Sequence, residues 1–227
     1  MAKRAASDRA LPLFGAGATF FFRLGLALAF CLACGTGAAV FAYYHSSWWT
    51  QVGFAPDQPV LFSHRHHAGD LRIDCRYCHS SVETSAFAGL PPTQTCLSCH
   101  SQIFADTAML RPVRLSAERA VPLRWNRASR LPDHVYFDHS IHVAKGVGCS
   151  SCHGDVTRLA LAAPAERLDM RWCLDCHRDP APALRPRDEI FAATWTPPAD
   201  QDARGAALLA ARNIPAQPLV DCNTCHR

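Results

Sequence analysis

The chain has 227 residues, with Lys+Arg 23 against Asp+Glu 19 and a formal net charge of +4, a size that suits one domain plus a short appendage. So modest a charge gives no reason to expect a nucleic-acid partner, and only two of the basic residues, Lys3 and Lys145, are lysine. The unusual feature is the set of 12 cysteines and 12 histidines, which points to chemistry rather than to an ordinary apolar core.

Residues 1–23 carry Lys3, Arg4, Arg9 and Arg23 against Asp8. From Leu24 to Tyr44 no charge occurs, and a helix of this length, rising about 1.5 Å per residue, spans the roughly 30 Å apolar core of a bilayer. The pattern predicts a transmembrane anchor helix over 24–44, with residues 1–23 as a cytoplasmic segment. Tyr43, Tyr44, Trp48 and Trp49 would lie at the opposite interface, so the rest of the chain is expected to be exported. A cleaved signal peptide has the same basic start, but its apolar core is shorter; a retained anchor is the expectation. Cys31 and Cys34 inside the span are followed by Gly35 and read as small packing residues. With Gly35, Gly37, Ala38 and Ala39 they would let a partner helix approach closely. Residues 45–61 follow as an interfacial linker that includes His45.

Beyond the linker one five-residue pattern occurs five times: Cys75–His79, Cys96–His100, Cys149–His153, Cys173–His177 and Cys222–His226. Pairs of the form C-x-x-C also build zinc ribbons, and the 17 residues between Cys78 and Cys96 or the 20 between Cys152 and Cys173 fit such a spacing. A disulfide framework is a second use of clustered cysteines in an exported chain. Neither accounts for the histidine that follows every pair. C-x-x-C-H is the attachment signature of c-type haem. Five haem c groups are therefore expected, bonded covalently through Cys75, Cys78, Cys96, Cys99, Cys149, Cys152, Cys173, Cys176, Cys222 and Cys225. His79, His100, His153, His177 and His226 would be the proximal iron ligands. Some of the arginines are expected to pair with haem propionates, because a guanidinium meets a carboxylate through two parallel bonds.

The chain also repeats. Phe62-Ser63-His64-Arg65-His66-His67 precedes Cys75, and Phe137-Asp138-His139-Ser140-Ile141-His142 precedes Cys149; both read F-x-H-x-x-H. Units 62–100 and 137–177 thus resemble a duplication, with 222–226 added at the C-terminus. Histidines three apart on a helical turn can serve neighbouring irons, so His64, His67, His139 and His142 are expected as distal ligands. His66 points elsewhere on such a turn. The fifth distal ligand is open between Met109, His134, Met170, His66 and His45. Met109 is preferred, followed by His134, and an open fifth iron would invite small-molecule chemistry.

Residues 101–136 and 178–221 are rich in proline and read as loops, with one helix expected from a cap at Asp200 to Asn213, before Pro215. From Phe62 onward 166 residues would hold five haems, too few for each porphyrin to have its own core. The fold expected is that of a multihaem cytochrome c: one N-terminal transmembrane helix, then an exported haem-packed domain over 62–227 of short helices and long loops, with little β structure.

The stretches FSHRHH, DCRYCH, TCLSCHSQIFADTAMLRPVR, LPDHVYFDHSIHVAKGVGCSSCHGDV, MRWCLDCHRDP and DCNTCHR resemble the pentahaem cytochrome c subunit of bacterial alternative complex III, over nearly the whole chain. The resemblance implies an electron-transfer subunit, not an enzyme on its own, in a bacterial inner-membrane complex that oxidises menaquinol or ubiquinol. It implies as partners an iron-sulfur subunit, integral membrane quinol-binding subunits and a monohaem cytochrome c, with electrons relayed on the periplasmic side toward a cytochrome c or terminal oxidase. It also implies mainly bis-histidine haems and one His/Met haem, a role that maps onto Met109. A membrane-anchored quinol dehydrogenase of nitrate or nitrite respiration is the main alternative, but Ser80 and Ser81 follow the first motif without a nearby methionine. A pentahaem reductase of nitrite or sulfite is the third reading. It is disfavoured because all five motifs end in histidine and none is lysine-type.

Overall fold

The computed structural model describes residues 15–215, 217 and 219–226. They fall into two units, one ending at Thr50 and one from Gln51 onward. Lys3, Arg4 and Arg9 of the expected cytoplasmic flank lie outside the described residues.

The first unit is dominated by one 30-residue helix, Ala16–His45. Its segment Gly17–His45 is long and apolar enough to cross a membrane, and its Phe and Leu side chains face outward from the unit. The helix begins eight residues before Leu24, because Thr19 to Phe22 extend the apolar run and one arginine, itself a good helix former, does not interrupt it. At the C-terminal end Ser46 Oγ donates to the Tyr43 carbonyl at 2.6 Å. His45 is already engaged there, with Nδ1 2.9 Å from the Phe41 carbonyl and its ring stacked 4.0 Å from that of Phe41. Cys31 and Cys34 are both exposed on this helix.

The second unit consists of short helices joined by long loops, and among the described residues it has no strand, only the isolated bridges Val135–His226 and Val147–Leu184. Each attachment motif winds its own short helix: Cys75–Cys78, Thr93–His100, Ser150–His153, Met170–Arg178 and Cys222–Cys225. Aspartates start several of these turns. Asp74 accepts from the Arg76 amide at 2.8 Å and Asp169 from the Trp172 amide at 2.9 Å, as side-chain acceptors do for the free donors of a helix N-terminus.

The expected helix after Asp200 is present as Gln201–Ala211. The stretch 101–136, expected as loop, contains a second helix of real length, Arg111–Arg119. Pro112 is the reason the sequence misled: at the first turn of a helix proline lacks only a hydrogen bond that position never makes, and its fixed φ favours the start. Val113 and Ser116 form the buried face of this helix.

The side-chain core is small and divided. Val60, Leu110 and Val113 pack with Cys96, Leu97, Leu123 and Trp125; Val82, Val143 and Ile190 pack with Ala88 and Phe191. The first cluster sits on the second attachment motif. The second ties the two repeat units together, since Val82 belongs to one and Val143 to the other.

Candidate haem-binding centres

The two F-x-H-x-x-H segments fold alike although their helices differ in type. His64 caps a π-helical turn, Arg65–Asp70, while His139 begins the α-helix His139–Ala144. In both the phenylalanine is a wedge between the two histidines. Phe62 stacks on His67 at 4.4 Å and meets His64 edge-on at 4.9 Å. Phe137 stacks on His142 at 4.5 Å and meets His139 edge-on at 4.7 Å. That is why the repeat keeps a phenylalanine, a role the sequence pattern contained but did not explain.

Each of these histidines faces one motif histidine. Ring centres are 6.5 Å apart for His64 and His79, 6.1 Å for His67 and His100, 6.4 Å for His139 and His153, and 6.1 Å for His142 and His177. The first histidine of each unit faces its first motif and the second faces its second. Interplanar angles follow the repeat, 3° and 5° for the first pairs against 66° and 43° for the second. An iron held between two imidazoles requires two metal–nitrogen bonds of about 2.0–2.1 Å and about 1.1 Å more to each ring centre, so roughly 6.3 Å in all. The four spacings fit that requirement, and a cleft of ≈ 510 Å³ opens beside Cys75, lined by residues that include Gly69, Asp74 and Phe191, within the range of cofactor pockets.

The imidazoles are also oriented. Nδ1 lies within hydrogen-bond reach of a backbone carbonyl in His67 (Ser63, 2.9 Å), His79 (Gly89, 2.7 Å), His100 (Ile103, 3.0 Å), His139 (Ala86, 2.9 Å), His142 (Asp138, 2.7 Å) and His177 (Leu219, 2.9 Å). An Nδ1–H donating to a carbonyl fixes the tautomer that leaves Nε2 free to accept a metal. Burial, with His79 opposite, pushes the His64 pKa down to about 4, and burial does the same for His153, with His139 opposite. Both are thus held neutral, the form that binds a metal.

At the fifth motif the described neighbour is His134. Its ring is 5.5 Å from that of His226 at 24°, and its own carbonyl is 3.1 Å from His226 Nδ1. The Val135–His226 bridge and the bond from the Tyr136 amide to the Cys225 carbonyl at 2.8 Å hold the two segments together. Met109 lies on the turn Ala108–Leu110, 61% exposed, and Met170 starts the helix Met170–Arg178, 67% exposed. His66 faces Asp70, with Nδ1 3.5 Å from Oδ2, on an exposed side of its turn.

The motifs are contiguous in space, in an order that is not the order of the chain. Tyr77 of the first motif and Ser98 of the second share a hydrogen bond of 2.6 Å. The first and third converge on one segment: Cys75 Sγ is 3.9 Å from the Phe191 carbonyl, and the Cys149 amide donates to the Ile190 carbonyl at 3.1 Å. The third and fourth lie side by side, since His139 and His142 of one short helix face His153 and His177, and Cys176 is near enough to Cys152 to add to burial in raising its thiol. Burial and then Cys225 raise that of Cys173, and the carbonyl that orients His177 is that of Leu219, just before the fifth motif. The run is second, first, third, fourth, fifth.

Comparison with known proteins agrees with this architecture. Residues 135–227 match the family described as cytochrome c7 and related cytochrome c. A protein of Nitratidesulfovibrio vulgaris named menaquinone reductase, multiheme cytochrome c subunit, is 32% identical over 143 residues, which cover 61% of this chain and 60% of that relative. Over residues 135–227 the chain is thus cytochrome c7-like and multihaem in type, and among the described residues one apolar helix is long enough to cross a membrane.

Proposed function

We propose that this chain is the five-haem electron-transfer subunit of a membrane complex of the alternative complex III type, which oxidises quinol and passes electrons toward a periplasmic cytochrome c or terminal oxidase. The observation that carries the reading is the set of five attachment motifs in one contiguous run, each with a second histidine facing its own. Haem iron, when bound, supplies a one-electron ferric/ferrous couple. The cysteine pairs at 75/78, 96/99, 149/152, 173/176 and 222/225 would hold the groups. His79, His100, His153, His177 and His226 would be the proximal ligands, and His64, His67, His139 and His142 four of the distal ones. For the fifth, the geometry favours His134 over Met109.

In this reading the helix Ala16–His45 anchors the chain in the bacterial inner membrane with its N-terminus cytoplasmic and the haem domain periplasmic. The quinol site and iron-sulfur clusters belong to partner subunits, and a monohaem cytochrome c is a further partner. If His64, His67, His139, His142 and His134 fill the second position on each iron, no open coordination site would be left for a small-molecule substrate, which argues against a nitrite or sulfite reductase. The name of the Nitratidesulfovibrio relative favours a second reading, in which the same relay delivers electrons to menaquinone.

The purified chain should return five haems in a pyridine haemochrome assay, show low-spin spectra and oxidise no quinol. Quinol turnover by the isolated chain would refute the relay reading. For the complex, reduction of cytochrome c by added menaquinol supports the first direction, and menaquinone reduction by reduced cytochrome without the reverse turnover supports the second.

A further inference from the structure

Arg185 is 2% exposed, yet among the described residues its guanidinium joins no ion pair. Its Nη2 donates to Ser150 Oγ at 2.9 Å and Ser151 Oγ at 3.0 Å, and its Nη1 donates to the Ala192 carbonyl at 3.2 Å. Its Cζ lies 4.2 Å from the centre of the Trp195 ring. Ser150 and Ser151 are the two residues between Cys149 and Cys152. Glu189, the nearby carboxylate, is engaged elsewhere, accepting from Trp195 Nε1 at 2.8 Å and from Arg204 at 3.5 Å.

The backbone beside the third motif leaves room for this charge. A Cβ at Gly148 would fall 2.2 Å from Arg185 Cζ. At Gly146, whose φ is +89, a Cβ would collide with Arg212, which donates to the Arg185 carbonyl at 2.7 Å. Both glycines lie just before Cys149. Burial disfavours the charged form of Arg185, but a guanidinium stays protonated in proteins.

The duplication supplies an internal comparison. The first motif has its own arginine, Arg76 between Cys75 and Cys78, where the third has Ser150, but Arg76 is exposed and doubly bonded to Asp74, at 2.9 Å from Nε and 2.8 Å from Nη2. The histidine pairs of the two motifs are otherwise alike, 6.5 Å at 3° and 6.4 Å at 5°. What separates the third site from the first is a buried guanidinium that, among the described residues, no carboxylate of the chain pairs. Reduction adds one electron, so a fixed positive charge screened little by water favours the ferrous form.

We propose that Arg185 sets the reduction potential of the haem attached at Cys149 and Cys152, making it a stronger oxidant than its repeat counterpart at Cys75 and Cys78. The inference rests on the five-haem reading given above. Arg185 acts as a charge beside the third motif and not as an iron ligand. A unit charge at a separation on the order of 10 Å, with an effective dielectric of about 20, changes the ferrous-to-ferric ratio by on the order of tenfold, which is about 59 mV for a one-electron couple.

The test is a redox titration followed by EPR on the full-length holoprotein, unmodified and as Arg185→Gln and Arg185→Lys. Signals of the first and third sites are assigned by their loss in His64→Ala and His139→Ala. In the unmodified protein the third site should titrate above the first. Arg185→Gln should lower the third by about tenfold at constant haem count, and Arg185→Lys should keep more than half of the difference. A titration of Arg185→Gln superimposable on the unmodified one would overturn the assignment, as would an equal drop in both variants. If Arg185→Gln does not assemble, the unmodified protein still decides, because a third site titrating below the first refutes the proposal. Fewer than five haems in the unmodified chain would instead defeat the underlying reading.

Discussion

Replacing His134 with alanine tests the fifth centre more directly than any other change. The ring of His134 lies 5.5 Å from that of His226, where the other four pairs stand at 6.1–6.5 Å; an iron between them needs an opening of 0.6–1.0 Å, the difference of those figures. One side-chain rotation supplies that much. The substitution is clean because the group 3.1 Å from His226 Nδ1 is the backbone carbonyl of residue 134, which alanine keeps. His226 therefore stays oriented while its partner ring is removed. With five attachment motifs, loss of one distal ligand should convert one haem in five from low to high spin, about a fifth of the low-spin signal by EPR, and leave the pyridine haemochrome value unchanged. Met109→Ala should leave the spin state as it was. The reasoning fails if His134→Ala is spectroscopically silent while Met109→Ala abolishes a methionine–iron charge-transfer band at the red edge of the spectrum and lowers one midpoint potential.

Three further outcomes are expected. Replacing Cys31 and Cys34 together by alanine should leave five haems per chain, because no histidine follows that pair; a fall to four would assign it an attachment role. Phe137→Ala removes the ring stacked on His142 and edge-on to His139; since Phe137 is half-buried, the cost is about 1–2 kcal/mol, below the 3–5 typical of fully buried sites. That should lower Tm and broaden the EPR signals of the third and fourth sites together, and an effect on only one of them would contradict the wedge. Gly205→Ala places a Cβ 2.3 Å from the Ala181 carbonyl, where the helix Gln201–Ala211 crosses the turn Ala181–Ala183. About 1–3 kcal/mol of overpacking should follow, visible in a denaturant titration, and an unchanged midpoint would show that the two segments separate without cost.

Much of the site was legible because its chemistry is local. C-x-x-C-H places both sulfurs and the proximal imidazole within one helical turn, and F-x-H-x-x-H places two imidazoles and their wedge within two. What escaped were partners distant in the chain. The carbonyls of Gly89, Ile103 and Leu219 that orient three motif histidines carry no side-chain signal at all. Arg185 looked like any other arginine, although Gly146 and Gly148 beside the third motif were a trace of the space it takes. Met109 stands in a Pro-containing segment that folds as a helix start, while His134 meets the fifth motif through contacts between segments distant in the chain.

The sequence by itself determined how many attachment motifs there are, where their cysteines and histidines lie, and that they follow an apolar helix. Each of those depends on spacing within a few residues, and spacing is written in the chain. Tertiary structure alone decided which histidine faces which, and that the second motif neighbours the first, the first the third, the third the fourth and the fourth the fifth. It alone buried the guanidinium of Arg185 beside the third motif while leaving Arg76 of the first motif exposed. Such differences arise from distances and dielectric between segments far apart in the chain, 92 residues for His134 and His226 and 116 for Cys75 and Phe191.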